Sequence, residues 1–148
     1  MNASLENLPF LALIDDDEHS ADLLMRTLLA HQSPEVRWYG GPRGGMDKLV
    51  SVLGDINADW PSMLIVDLKM HSRANVEFVG SVQALARQKG IPIVVMAPAT
   101  TNPDCDALKA CGASQIFYRH ADRDAYRREA ASIVSFWARN QRLDAVGM

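Results

Sequence analysis

The sequence predicts a doubly wound α/β domain, a five-stranded parallel sheet with helices on both faces. Three observations carry that prediction. Phe10-Leu11-Ala12-Leu13-Ile14 is an apolar run closed by Asp15-Asp16-Asp17. Met63-Leu64-Ile65-Val66 is a second one, closed by Asp67. Short apolar runs that stop at a carboxylate read as buried parallel strands with an acid at the C-terminal edge. Around them, apolar runs alternate with segments of helical period, and five such β/α units in one chain argue for a parallel sheet covered on both sides.

The elements follow in order. Strands are expected near 10–14, 36–39, 62–66, 92–96 and 115–118. Over 18–31, Ala21, Leu24, Met25 and Leu28 fall on one helical face. Gly40-Gly41-Pro42 and Gly44-Gly45 break the chain before a helix near 46–54, and Asn57-Ala58-Asp59-Trp60-Pro61 forms a loop into the third strand. Val76, Val79, Val82, Leu85 and Ala86 line one side of a helix near 75–88, which Gly90 and Pro92 stop. Pro103 suits the first turn of a helix to about Ala110, and Gly112 its C-terminal cap. Tyr126, Ala130, Ile133, Val134 and Trp137 share a face of a last helix over about 122–139. The strand order expected of this flavodoxin-like arrangement is 2-1-3-4-5, with the switch point beside the first strand. The chain reads as one domain over 1–148, with its core over about 9–138 and a loose tail over 140–148.

Composition narrows the function. A chain of 148 residues, 48% hydrophobic and 22% charged, is long enough for a full core. The formal net charge of -3 does not favour nucleic acid as a partner. Arginines 123, 127, 128, 139 and 142 are interleaved with Asp122, Asp124 and Glu129, which reads as a solvated face. The N-terminus lacks a basic, apolar leader and no segment has the length of a membrane span, so a cytoplasmic protein is expected. Cys105 and Cys111 read as reduced thiols in a helix, and His19, His31, His71 and His120 show no metal-ligand spacing. Ligands of open α/β sheets bind at the C-terminal strand edge. Three acids gathered there make a site for a hard cation such as Mg²⁺.

These residues resemble the receiver domain of bacterial two-component response regulators. Asp15 and Asp16 match the family's acidic pair, Asp67 its phosphoacceptor, Asp67-Leu68-Lys69-Met70 its D-L-x-M, and Lys109-Ala110-Cys111-Gly112-Ala113 its K-A-G-A turn. Ile91-Pro92-Ile93-Val94-Val95 resembles its fourth strand. Two positions depart from the pattern. The Thr/Ser that ends strand four is Ala97, fifteen residues before Gly112, and the Lys that ends strand five is Arg119, seven residues after it. His71 and Asn75 replace a usual proline and glycine, and Arg119-His120 replaces Lys-Pro. Phe136-Trp137 is similar to the ending of single-domain response regulators associated with phytochromes.

The resemblance implies that Asp67 takes a phosphoryl group from a phosphohistidine of a sensor histidine kinase, a phytochrome among the candidates. It implies Mg²⁺ held by Asp16 and Asp67, with Asp15 acting through water and the backbone carbonyl of Lys69 as a further ligand. Carboxylates clustered without a cation repel, so the site is expected to be metal-hungry. Asp17 is read as opening the following loop or capping the first helix, not as a metal ligand. Arg119 keeps a positive charge at the site with a different reach from lysine. Ala97 has no donor; a hydrogen bond to a charged group is worth about 1.5–3 kcal/mol. Thr100 or Thr101 would have to compensate. The signal is expected to leave by protein contact, without a DNA-binding output domain, through a downstream partner or a homodimer on the face of the fourth helix, fifth strand and fifth helix. Phe136 either extends the core or belongs to that dimer patch. The alternative is a pseudo-receiver, an interaction module indifferent to phosphorylation, which Ala97, Arg119 and His120 motivate. An enzyme is not expected: a phosphohydrolase of this topology would need an acid two residues after Asp67, where Lys69 stands.

Overall fold

The computed structural model describes residues 8–99 and 105–145. In chain order the elements are β1 (Phe10–Asp15), α1 (Glu18–Ala30), β2 (Glu35–Gly40), α2 (Pro42–Leu53), β3 (Met63–Asp67), α3 (Ala74–Gln88), β4 (Ile93–Pro98), α4 (Cys105–Cys111), β5 (Gln115–Arg119) and α5 (Arg123–Ala145). The five strands pair in parallel in the order β2-β1-β3-β4-β5, the expected topology.

Side chains alternate across a strand, and the apolar runs are buried on both sides for that reason. Ala12, Ile14, Leu64, Val66, Ile93 and Val95 face one layer, packed with Leu49 and Leu53 of α2, Val79 and Val82 of α3 and Leu108 of α4. Leu11, Leu13, Met63, Ile65, Val94 and Met96 face the other, against Leu24 and Leu28 of α1 and Ala130 and Ile133 of α5. Phe136 packs on that second layer, with its ring edge-on to Phe117 at 6.1 Å between centroids, so it extends the core. Trp137 Nε1 donates to Ser62 Oγ at 2.9 Å and ties α5 to the entry of β3. On the outer strand β5, the backbone N–H of Tyr118 donates to Glu129 of α5 at 2.7 Å.

Two boundaries differ from the sequence reading. The second helix starts at Pro42, not near 46. Pro42 sits in the first turn, where its missing N–H costs nothing. Gly45, read as a breaker, is a buried helical residue: a Cβ there would lie 2.7 Å from Ile14 Cδ1 and 3.3 Å from the Gly40 carbonyl oxygen, so a larger residue would force the Ile14 side chain to shift. The last helix does not end at 139 with a loose tail but runs to Ala145. No glycine or proline intervenes before Gly147, and Asn140 Nδ2 bonds back to the Phe136 carbonyl at 2.9 Å. The fourth helix is described only from Cys105; Thr100, Thr101 and Pro103 lie outside the described residues. Gly112 ends α4 as expected, with φ +118° and its N–H on the Lys109 carbonyl at 3.1 Å.

Candidate functional site

Parallel pairing puts Asp15 directly beside Asp67 in the β1–β3 register, so both carboxylates leave the sheet at the same C-terminal level. Both are buried, at 0% and 2% exposure. Next to them, β4 and β5 end together, with Pro98 paired to Arg119. The Arg119 guanidinium therefore reaches across the edge, and its terminal nitrogen contacts Asp67 Oδ1 at 2.5 Å. This contact is an ion pair between the ends of β3 and β5. The same nitrogen lies 3.4 Å from the Met96 carbonyl.

A second cation completes the cluster, and it is one the sequence reading missed. The Lys69 side chain folds back from the β3–α3 loop into the acid pair. Its Nζ donates to Asp15 Oδ1 at 2.7 Å and to the Asp67 carbonyl at 2.8 Å, and lies 3.3 Å from Asp67 Oδ1. Two hydrogen bonds and one further ion pair thus hold the ammonium. Two buried carboxylates are balanced by two side chains that are each about a quarter exposed or less. The expected role for Lys69 was its backbone carbonyl; its ammonium is what occupies the pocket. The signal was present: Lys69 is the basic residue nearest in sequence to Asp67, and crowded acids demand a counter-charge.

Asp16 does not join this cluster. Its Oδ2 accepts the N–H groups of Lys69 and Met70 at 3.1 and 2.9 Å, its Oδ1 that of Lys69 at 3.2 Å, and it thereby fastens the β3–α3 loop to β1. Asp17 caps α1 as expected, accepting the His19 N–H at 3.0 Å. Asp15 Oδ1 also accepts the Asp17 N–H at 2.9 Å, while its Oδ2 is buried without a partner. The expected metal set therefore meets only in part. Asp15 Oδ2 is free to bind, but Asp15 Oδ1 and Asp67 Oδ1 already face an ammonium and Asp16 is spent on backbone. Among the described residues no group of three His, Cys, Asp or Glu side chains is placed to hold a metal ion. In this arrangement the donors do not fit Mg²⁺.

Electrostatics follow from burial. Burial pushes the Asp15 carboxyl above its usual value; the Lys69 hydrogen bond pulls it back in part, and the nearby Asp67 charge pushes it up again. Tyr126, read from the sequence only as part of the apolar face of α5, stands in the same field. Burial raises its phenol well above the ordinary value, and the charges of Asp67 and Asp15 add to that.

Ala97 is buried at the end of β4 and packs in the core layer, with a methyl group where a hydroxyl was the expectation. Asn75, at the start of α3, is also buried. Its Oδ1 accepts the Leu68 N–H at 2.9 Å and its Nδ2 donates to the Met96 carbonyl at 3.2 Å, so it clamps the loop after Asp67 to the end of β4. His71 and His120 sit near Glu77 and Glu129, at 3.5 and 3.8 Å, away from the acid cluster.

No family model and no curated protein matches the sequence. Solved structures do. The phosphorylated cyanobacterial phytochrome response regulator RcpA aligns with a TM-score of 0.70 at 18% identity, over 88% of this chain and 94% of its own. The Mn²⁺-bound form of response regulator Rcp1 aligns at 0.68 and 17% identity, over 87% and 94%. The Vibrio cholerae chemotaxis protein CheY4 aligns at 0.66 and 19% identity, over 87% and 98%. The chain has the receiver-domain fold. The receiver fold covers nearly the whole of each of these three chains, so the described elements account for one such domain. Among its described residues, no helix is long and apolar enough to cross a membrane.

Proposed function

We propose that this chain is a receiver of two-component signalling that accepts a phosphoryl group on Asp67 from a sensor histidine kinase. The observation that carries the reading is the Asp67 carboxylate at the ligand-binding edge of the sheet, with Arg119 on its Oδ1. In the transfer, an Asp67 oxygen forms the O–P bond as the P–N bond of a phosphohistidine breaks and the imidazole nitrogen keeps the electron pair. Phosphoryl transfer depends chiefly on position and on neutralising charge at the equatorial oxygens. Arg119 carries a planar, permanently charged fork suited to phosphoryl oxygens. RcpA, similar in fold, is described as phosphorylated and as a phytochrome response regulator; a phytochrome-type kinase is accordingly one partner class, in the cytoplasm. The output is protein contact, to a downstream protein or to a second copy through the α4–β5–α5 face.

The test is intact mass after treatment with a small phosphodonor such as phosphoramidate, with and without Mg²⁺. A gain of one phosphoryl group that is lost in Asp67→Asn supports the reading; no gain in any condition overturns it. A second reading, a pseudo-receiver that binds its partner whatever its phosphorylation state, is favoured by Ala97 and by the ammonium already inside the pocket. Sedimentation and partner-binding measurements that do not change on phosphorylation would select it.

A further inference from the structure

We propose that Lys69 is a built-in cation that holds the acidic pocket in place of a divalent metal, so that a metal ion binds only by displacing it. The proposal rests on the pocket and not on phosphorylation of Asp67. Four features carry it. The Lys69 ammonium lies within 3.3 Å of three oxygens of Asp15 and Asp67. The loop that presents it is fastened, by Asp16 through the Lys69 and Met70 N–H groups and by Asn75 through the Leu68 N–H. The two buried acids are matched one for one by Lys69 and Arg119. Finally, Asp15 Oδ2, on the carboxylate whose Oδ1 the ammonium contacts, is buried and unpartnered, so vacating the lysine leaves a carboxylate pair with an open oxygen.

The geometry makes the exchange selective. Arg119 reaches Asp67 from β5, on the far side from Asp15, and contacts only one of the two acids. Lys69 bridges both, and the space between two carboxylates is what a hard divalent cation requires. A lysine stem is long and flexible, and its head is a quarter exposed, so it has a path out to solvent. Displacement then costs the bridge but no backbone rearrangement.

The experiment is direct metal binding without any phosphodonor. Free Mn²⁺ is followed by electron paramagnetic resonance on the intact chain and on Lys69→Met, with Lys69→Gln as the second uncharged variant if the first fails to fold. The expected result is an affinity at least about tenfold tighter in the variant than in the wild-type chain, a full decade in dissociation constant. Equal affinity, weaker affinity in both variants, or no binding by any of the three proteins overturns the proposal. A second readout needs no mutation. Lysine labelling with an amine reagent, read by peptide mass, is expected to spare Lys69 in chelator and to reach it when MnCl₂ is added. Rapid labelling of Lys69 in chelator, or a rate unmoved by Mn²⁺ that the protein has bound, overturns it equally. Phosphorylation of Asp67 enters neither readout, so failure here leaves the receiver assignment standing.

Discussion

At the residue scale, Asp15 carries a cost that its neighbours only partly offset. Its folded-state pKa is raised above 3.8, so the native state holds the proton more tightly than the unfolded chain. Its contribution to stability is therefore full below 3.8 and is lost as pH rises through the raised value. Above that raised value the carboxylate is ionised in both states and the penalty is complete. Asp15→Asn removes it, and Lys69 and Arg119 still have Asp67. We expect the variant to melt above the wild-type chain at pH 7, by about 2–4 °C per kcal/mol recovered. The gain should shrink well below pH 3.8. Thermal melts at both pH values check it. Asn75 behaves in the opposite sense. Asn75→Ala strands the Leu68 N–H, and a buried donor left unpaired costs about 1–3 kcal/mol; a lowered melting temperature with an unchanged far-ultraviolet spectrum is the expected outcome. The partners of Asn75 were not legible in the sequence, and Lys69 was signalled only as the basic residue nearest to Asp67. The carboxylates were legible, because a strand-ending acid is a local pattern. Which way a loop lysine turns, or what an early-helix asparagine bridges, depends on groups 21 to 54 residues away.

At the element scale, apolar runs placed all five strands, and the errors fell before α2, where glycine was read as punctuation, and after Arg139, where the lack of glycine or proline was not used to extend α5. Gly45 marks a close contact, not a break, because a Cβ there would press on Ile14 Cδ1 at 2.7 Å and on the Gly40 carbonyl oxygen at 3.3 Å. Gly45→Ala is expected to destabilise the chain, and Ile14→Val, which removes the Cδ1 that the new methyl meets, to recover part of the loss. The two costs should sum to more than the double variant's cost; Ile14→Val alone takes about 0.5–1.5 kcal/mol. Equilibrium denaturation of the four proteins measures the coupling. Gly112 is the stricter case, combining φ +118° with a Cβ position 2.2 Å from Gln83 Cγ. Here the sequence signal and the structure agree, since a helix end followed by a strand is where glycine serves as a cap.

At the scale of the whole molecule, the fold brings four ionic side chains from three strand ends and one loop into a set without excess charge. Stability should then depend less on divalent cations than in a chain without the lysine. At the same added Mn²⁺, Lys69→Met is expected to gain more melting temperature over its value in chelator than the wild-type chain does, by mass action. That balance was the least legible property of the sequence. Acids at two strand ends are visible in order along the chain, but their neutralisation is an outcome of sheet order, register and loop path taken together. The topology itself was legible because five β/α units leave few right-handed arrangements.

The bond between the Tyr118 N–H and Glu129 has a consequence for how this protein meets others. A strand at the margin of a sheet invites another chain to lengthen the sheet by backbone pairing. On β5 the Tyr118 donor is already taken by the Glu129 carboxylate of α5. A partner approaching there is turned from ladder extension toward side-chain recognition, which can be reversed without unzipping a sheet.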